Sequence, residues 1–305
     1  MTGHTIQKIG IWIFAAERAR SYIELLKPRL SLLVSFSSVF GFVLGSSEVL
    51  NWQSLIMLGA GGFLISGASV AINQILEKDL DRLMGRTCDR PLPSGRISTF
   101  EAIWVVVITV VAGALLLLKF TNTLTVVLSL VSLLLYGFVY TPLKRVGPVA
   151  VFVGAIPGAL PPLLGWIAAT GTIGYQALVL FGIQFIWQFP HFWAIAWVSF
   201  DDYQKAGFRL LPSTGNKDFS TAIQIMIYTL FLLPMGLLPA KFGITGINSA
   251  LVVTICGVLF LAQTFLLMRD CLTEGEKARK SALKIMFGSF IYLPVVQIAF
   301  ILDKI

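Results

Sequence analysis

The stretch AINQILEKDLDRLMGRTCDRPLPSG, residues 71–95, decides how this chain is read. Its apolar start closes a long hydrophobic run, and four of the chain's fifteen acids follow at once: Glu77, Asp79, Asp81 and Asp89. Carboxylates against a hydrocarbon-length run are costly and mark function. Asn73, Glu77 and Asp81 are spaced by four, so a helix stacks them on one face, while Asp79 lies about 200° around from Glu77. Like charges at that spacing repel, and a bound cation removes the penalty. An amide oxygen and two carboxylates are hard ligands. They suit magnesium, which takes one or two carboxylates together with phosphate oxygens. Arg82, Arg86 and Arg90 come next, and guanidinium forks bind phosphate in bidentate fashion. Metal ligands followed by arginines are what a diphosphate needs, so Arg86 and Arg90 are assigned to it. The bland alternative is a juxtamembrane polyampholyte with ordinary ion pairs.

Outward from this stretch the chain is apolar. Of 305 residues, 56% are hydrophobic and only 12% charged, against roughly 25% charged in soluble domains. Runs near the ~20 residues needed to cross a bilayer recur, and runs of that length in lipid must be helical. Nine spans are expected near 30–47, 54–76, 100–118, 121–141, 149–169, 175–198, 220–239, 248–268 and 282–301. The fold class is therefore all-α, a polytopic helical bundle in the lipid bilayer, organised as one domain over residues 1–305. Residues 1–28 form an arm that reads as a cytoplasmic segment or an interfacial helix. No linker or low-complexity tract interrupts the chain.

The net charge of +8 is explained by location. Counted over the arm and the loops after even-numbered spans, Lys and Arg number 20. The other side has Lys119, Lys241 and Lys304, which completes the 23 present. The arm and the even loops are therefore expected on the cytoplasmic side and the C-terminus outside. Nothing resembles a nucleic-acid module. Cys88, Cys256 and Cys271 have no ligand spacing. With only His4 and His191 present, a histidine-based metal cluster is excluded. The N-terminus does not read as a cleaved signal or transit peptide, which points to a bacterial cytoplasmic (inner) membrane.

A second acidic pair, Asp201 and Asp202, ends span 6 on the same expected side. Two acidic clusters can clamp one diphosphate through metals, so Asp201 and Asp202 join Asn73, Glu77 and Asp81 as catalytic candidates, with Asp202 as a further metal ligand. Lys144 and Arg145, after span 4, would neutralise a leaving group, or else only set topology. Tyr140 and Trp193 are placed to shield a cation with their faces, or else are interfacial aromatics. His191, the one histidine inside a span, would ligate an iron or bond a neighbouring helix. Proline-rich span 5 (Pro157, Pro161, Pro162) invites kinks that open a cavity.

These motifs resemble the UbiA superfamily of intramembrane prenyltransferases. Residues 73–81 are similar to its Asn-x3-Asp-x3-Asp signature, and RTCDRPLPSG (86–95) extends the match. KPR (27–29), YTPLKR (140–145), GAIPGALPPLLGW (154–166), FPHFWAIAW (189–197) and DDYQKAG (201–207) resemble the branch that farnesylates heme. The resemblance implies magnesium-dependent transfer of a farnesyl group from farnesyl diphosphate to a vinyl group of heme b, giving heme O. It also implies a downstream link to a heme A synthase or to cytochrome oxidase assembly. Two departures stand out. Glu77 replaces the usual Asp, and Lys205 and Ala206 stand where a second acid often follows Asp201 and Asp202. The alternatives are a relative that prenylates an aromatic or quinone precursor and, from a different class, an ion-coupled transporter. A transporter places its charges near the midplane, not at one face beside arginines.

Overall fold

The computed structural model describes residues 16–47, 49–213, 215–273 and 275–305. Residues 16–25 form helix α1. It is followed by α2 (Pro28–Gly45), α3 (Trp52–Leu76), α4 (Lys78–Asp81), α5 (Thr99–Phe120) and α6 (Thr123–Leu134). The chain then passes through a π-helical segment (Leu135–Tyr140) into α7 (Thr141–Leu143). Helices α8 (Val149–Thr170), α9 (Tyr175–Val198), α10 (Phe200–Lys205), α11 (Phe219–Lys241), α12 (Ile247–Asp270) and α13 (Gly275–Leu302) complete it. Among the described residues nine helices are long and apolar enough to cross a membrane. They fall within a few residues of the nine expected spans, except that α13 starts seven residues before the expected 282. Residues 1–15 of the arm lie outside the described residues.

Local chemistry sets the boundaries. Asn51 caps α3 by accepting the Ser54 N–H at 3.0 Å. Ser98 and Glu101 form a reciprocal capping box at α5, which satisfies two orphan donors. Pro28 opens α2 at the first turn, where its missing N–H costs nothing. Gly171, at φ 78°, ends α8 in the left-handed conformation that glycine adopts without strain. Lys304 donates to the carbonyls of Val43 and Ser46 and so caps the far end of α2.

The prolines of α8 show how a membrane helix keeps its backbone satisfied. Pro161 and Pro162 cannot donate to the carbonyls of Pro157 and Gly158. Ser132 donates to the first at 3.3 Å and Gln184 to the second at 2.8 Å. Polar side chains on α6 and α9 thus replace the missing ladder bonds, as lipid cannot. Helix α8 is the most buried span, whereas α5, α6 and α12 turn much of their apolar surface outward. Helices α2, α3, α8, α9 and α13 and the π segment enclose a cavity. Helix α1 does not float: Gln74 donates to the Leu25 carbonyl at 2.7 Å, and Arg96 pairs with Glu24 at 2.7 Å.

Candidate active site

Helix α3 stops at Leu76 and Glu77 serves as its C-cap at φ −100°, after which the short α4 runs to Asp81. Despite this break, Asn73, Glu77 and Asp81 all line the cavity and are 4%, 4% and 1% exposed. The cavity encloses about 560 Å³, within the range of ligand sites. Its charged end is built from loops far apart in sequence, and its depth is apolar.

Two buried ion pairs hold the acids. Arg90 donates to Asp81 Oδ2 at 2.7 Å, and Lys144 donates to Glu77 Oε2 at 3.0 Å. Each acid keeps one buried oxygen, Asp81 Oδ1 and Glu77 Oε1, that receives no well-directed hydrogen bond, although Lys144 Nζ lies 2.9 Å from the latter. Buried carboxylate oxygens left in this state are costly, and a hard cation is the ligand they suit. Asn73 is oriented the same way. Thr141 spends its hydroxyl proton on the Tyr136 carbonyl at 2.9 Å and accepts from Asn73 Nδ2 at 3.1 Å. The amide nitrogen is thereby pinned and the amide oxygen is left for a ligand.

Arg86 and Arg90 both line the cavity. Arg86 reaches across to α9 and α10, donating to Ser199 at 3.3 Å and to the Tyr203 hydroxyl at 3.2 Å. Lys144 lies over the rings of Tyr140 and Phe208, at 4.9 and 5.6 Å. The π segment carries Tyr136 and Tyr140 into the wall, and π bulges are frequent at functional sites.

Four expected site residues lie elsewhere, and each is corrected here. Asp201 is exposed and faces Lys217 at 3.4 Å. Asp202 pairs with Lys205 at 3.0 Å, and that contact, with the nearby backbone N–H groups of Gly85 and Arg86, holds its carboxyl below the usual range. Neither lines the cavity, because α10 turns its acids toward the rim. The same stretch contributes Tyr203 and Phe208 instead. Asp202 thus sits beside the loop that carries Arg86. Among the described residues no three His, Cys, Asp or Glu side chains cluster as a metal site, so the candidate ligand set is the two acids and the Asn73 amide. Arg145 is exposed and off the cavity. Trp193 is buried behind the wall, packed on Phe189 and Tyr228 with ring centroids 5.4 and 5.0 Å away.

Further residues line the cavity; sequence offers two of them, His191 as a ligand or helix contact and Lys27, with Arg29, as a possible cation for heme propionates, and leaves the glutamines unread. Lys27 stands at the charged end in a left-handed backbone conformation, φ 43°, which is strained for a residue with a side chain. Burial, aided by the nearby charges of Arg90 and Lys144, pushes its ammonium down to about 7. Deeper, Gln184, Gln188 and Gln297 face the cavity. Gln297 donates to Gln184 at 3.1 Å and to Ser37 at 3.0 Å. His191 lines the cavity from α9, stacked on Trp187 at 4.5 Å.

Comparison with known proteins gives the family and the fold. Residues 34–291 match the UbiA prenyltransferase family. The chain is 49% identical over 290 residues to the protoheme IX farnesyltransferase of Cytophaga hutchinsonii, covering 95% of this chain and 99% of that one. Among solved structures, a digeranylgeranylglyceryl phosphate synthase superposes with a TM-score of 0.76 at 21% identity, covering 94% of this chain and 98% of that one. A UbiA homolog from Archaeoglobus fulgidus bound to GPP and Mg2+ superposes with a TM-score of 0.64 at 17% identity, covering 92% of this chain and 99% of that one.

Proposed function

The chain belongs to the UbiA prenyltransferase family, and from that premise we propose that it transfers the farnesyl group of farnesyl diphosphate to a vinyl group of heme b, giving heme O. One observation carries the reading: Asn73, Glu77 and Asp81 share the head of one apolar cavity with Arg86, Arg90 and Lys144. This places hard oxygen ligands and cations at one end and room for a prenyl chain below them.

Asn73, Glu77 and Asp81 would hold magnesium through the oxygens described above. Bound there, the metal supplies Lewis-acid neutralisation of a diphosphate leaving group. Arg86, Arg90, Lys144 and Lys27 bind the diphosphate oxygens and stabilise charge as it develops on them. The bond from farnesyl carbon 1 to oxygen breaks, with its electron pair leaving on diphosphate. The vinyl π electrons close the new carbon–carbon bond, and water supplies the hydroxyl of the product while a proton departs. Tyr136 and Tyr140 present ring faces that stabilise an allylic cation without quenching it. The apolar walls withhold water until the carbon–carbon bond exists. The charged end carries the basic loops, so it lies at the cytoplasmic face of a bacterial inner membrane, with the N-terminus inside and the C-terminus outside.

The test is the product. Purified protein with heme b, farnesyl diphosphate and magnesium should yield heme O by mass spectrometry, and no product when magnesium is chelated. Farnesylation of an aromatic acid in place of heme b would assign the chain to another branch of the family.

Lys27 supplies a second test. Its pKa of about 7 leaves it mostly neutral above that pH, whereas a bound anion favours the ammonium form. Binding of a diphosphate at about pH 8.5 should therefore take up a proton, since the pKa rises on binding. Calorimetry in buffers of different ionisation heat should show close to one proton absorbed. Lys27→Gln should absorb none, and equal uptake by both proteins would remove Lys27 from the anion site.

A further inference from the structure

One hydroxyl on α13 makes two hydrogen bonds. Ser289 Oγ lies 2.6 Å from the Met286 carbonyl, to which it donates, and 2.8 Å from His191 Nδ1. A serine hydroxyl has one proton. Were it aimed at His191, two acceptor oxygens would face each other at 2.6 Å with no proton between them, which is repulsive. The proton therefore goes to Met286, and His191 donates Nδ1–H to Ser289. This network fixes the tautomer, leaving the lone pair on Nε2. No protein group bonds Nε2 among the described residues, and the ring lines the cavity.

Ser289 grips the ring from a second direction. Its backbone carbonyl accepts the Trp187 indole N–H at 3.2 Å. That indole stacks on the imidazole, 4.5 Å between centroids and 18° from parallel. Phe290 meets the ring edge-on at 5.0 Å. One residue thus orients both aromatic groups of this wall, and the imidazole cannot turn over without losing its Nδ1 bond.

We propose that Ser289 is a positioning residue that presents His191 Nε2 to the cavity as an axial ligand for the metal of a metalloporphyrin. The proposal rests on the reading above, in which heme b is the acceptor, and it adds the group that holds its iron and the residue that aims it. Metal-bound histidines commonly donate the opposite N–H to an outer partner, which fixes tautomer and raises ligand basicity. Here the outer partner lies 98 residues away and is a neutral hydroxyl in an apolar span.

The test uses the full chain in lipid nanodiscs, titrated separately with iron protoporphyrin IX and metal-free protoporphyrin IX. Optical and resonance Raman spectra report the axial ligand. The wild type should give an imidazole-ligated iron spectrum, and His191→Ala should lose it while binding the metal-free porphyrin within about two-fold of wild type. Ser289→Ala should bind the iron porphyrin about ten-fold more weakly, lower the ferrous iron–histidine stretching frequency, and leave metal-free binding unchanged. An unaltered iron spectrum and affinity in Ser289→Ala would overturn the positioning role. The wild-type iron spectrum persisting in His191→Ala would overturn the ligand itself, while the heme-acceptor reading survives on metal-free binding. If the wild type binds neither porphyrin, the acceptor reading itself fails.

Discussion

Replacing Asp81 by Asn is expected to lower heme O formation by about 10³-fold or more, the scale of losing a group that stabilises developing charge, while the protein stays folded. Asp81 is 1% exposed, accepts from Arg90 at 2.7 Å, and keeps Oδ1 without a partner. Asn fills the same volume and its oxygen can still accept from Arg90. What it lacks is the anionic oxygen that a divalent cation requires, so the loss should fall on turnover and on magnesium affinity. Removing an acid from a buried pair also costs stability, and it enlarges an excess of positive charge that the site already holds. Arg86, Arg90 and Lys144 surround Glu77 and Asp81, so the diphosphate completes the charge balance. Bound diphosphate should therefore raise the thermal stability of Asp81→Asn as well as that of wild type. Asp79→Asn is the control. Asp79 pairs with Arg82 at 3.0 Å on the exposed side, and exposed pairs contribute little, so activity should change less than about two-fold. Equal activity in Asp81→Asn and wild type, by product mass, would defeat the metal assignment.

The contrast between Asp79 and Asp81 was legible in sequence, because helical spacing alone separates their faces. The spans were legible too, since hydropathy and the alternation of basic loops act along the chain. What spacing cannot convey is which loops meet. Asp201 and Asp202 look like a second ligand pair by residue type and side, yet α10 turns them to the rim, where Lys205 pairs with Asp202 and Lys217 with Asp201. Tyr203 and Phe208, in the same stretch, take the places at the cavity. Lys27 could be read only as one of two possible cations, with Arg29, because its place at the charged end depends on a left-handed turn between α1 and α2. Ser289 was hidden because its partner is on another helix. Gln184 has a signal in retrospect. A glutamine within a span needs a partner, and Pro162 on the next helix strands a carbonyl.

The same limit applies to glycines, and there the expected effect is on folding. Gly165→Ala should cost about 3 kcal/mol or more, the upper end for overpacking a tight contact. For a chain of this size that is a fall in Tm of about 5 °C. A Cβ at Gly165 would lie 2.8 Å from the Ser38 carbonyl carbon and 2.6 Å from the Phe42 nitrogen, and closer still to the Ser38 oxygen. These are backbone atoms of α2 and cannot rotate aside. The contact is reciprocal: a Cβ at Gly41 would fall on the Pro162 carbonyl, 2.7 Å from its carbon. Small residues on each helix let α2 and α8 approach backbone to backbone, the usual driving contact between helices in lipid. That approach also shapes the site, because Ser37 on α2 and Pro157 and Pro161 on α8 line the cavity. Folded Gly165→Ala protein should thus show a widened cavity and a raised KM for the prenyl donor. Gly62→Ala, where a Cβ meets only Ser38 Oγ at 3.9 Å, should change Tm by no more than about 2 °C. Thermal unfolding in detergent, followed by the loss of monodisperse protein, separates the two. If Gly165→Ala unfolds at the same temperature as Gly62→Ala, α2 and α8 do not touch as closely as described, and the cavity they frame must be drawn differently.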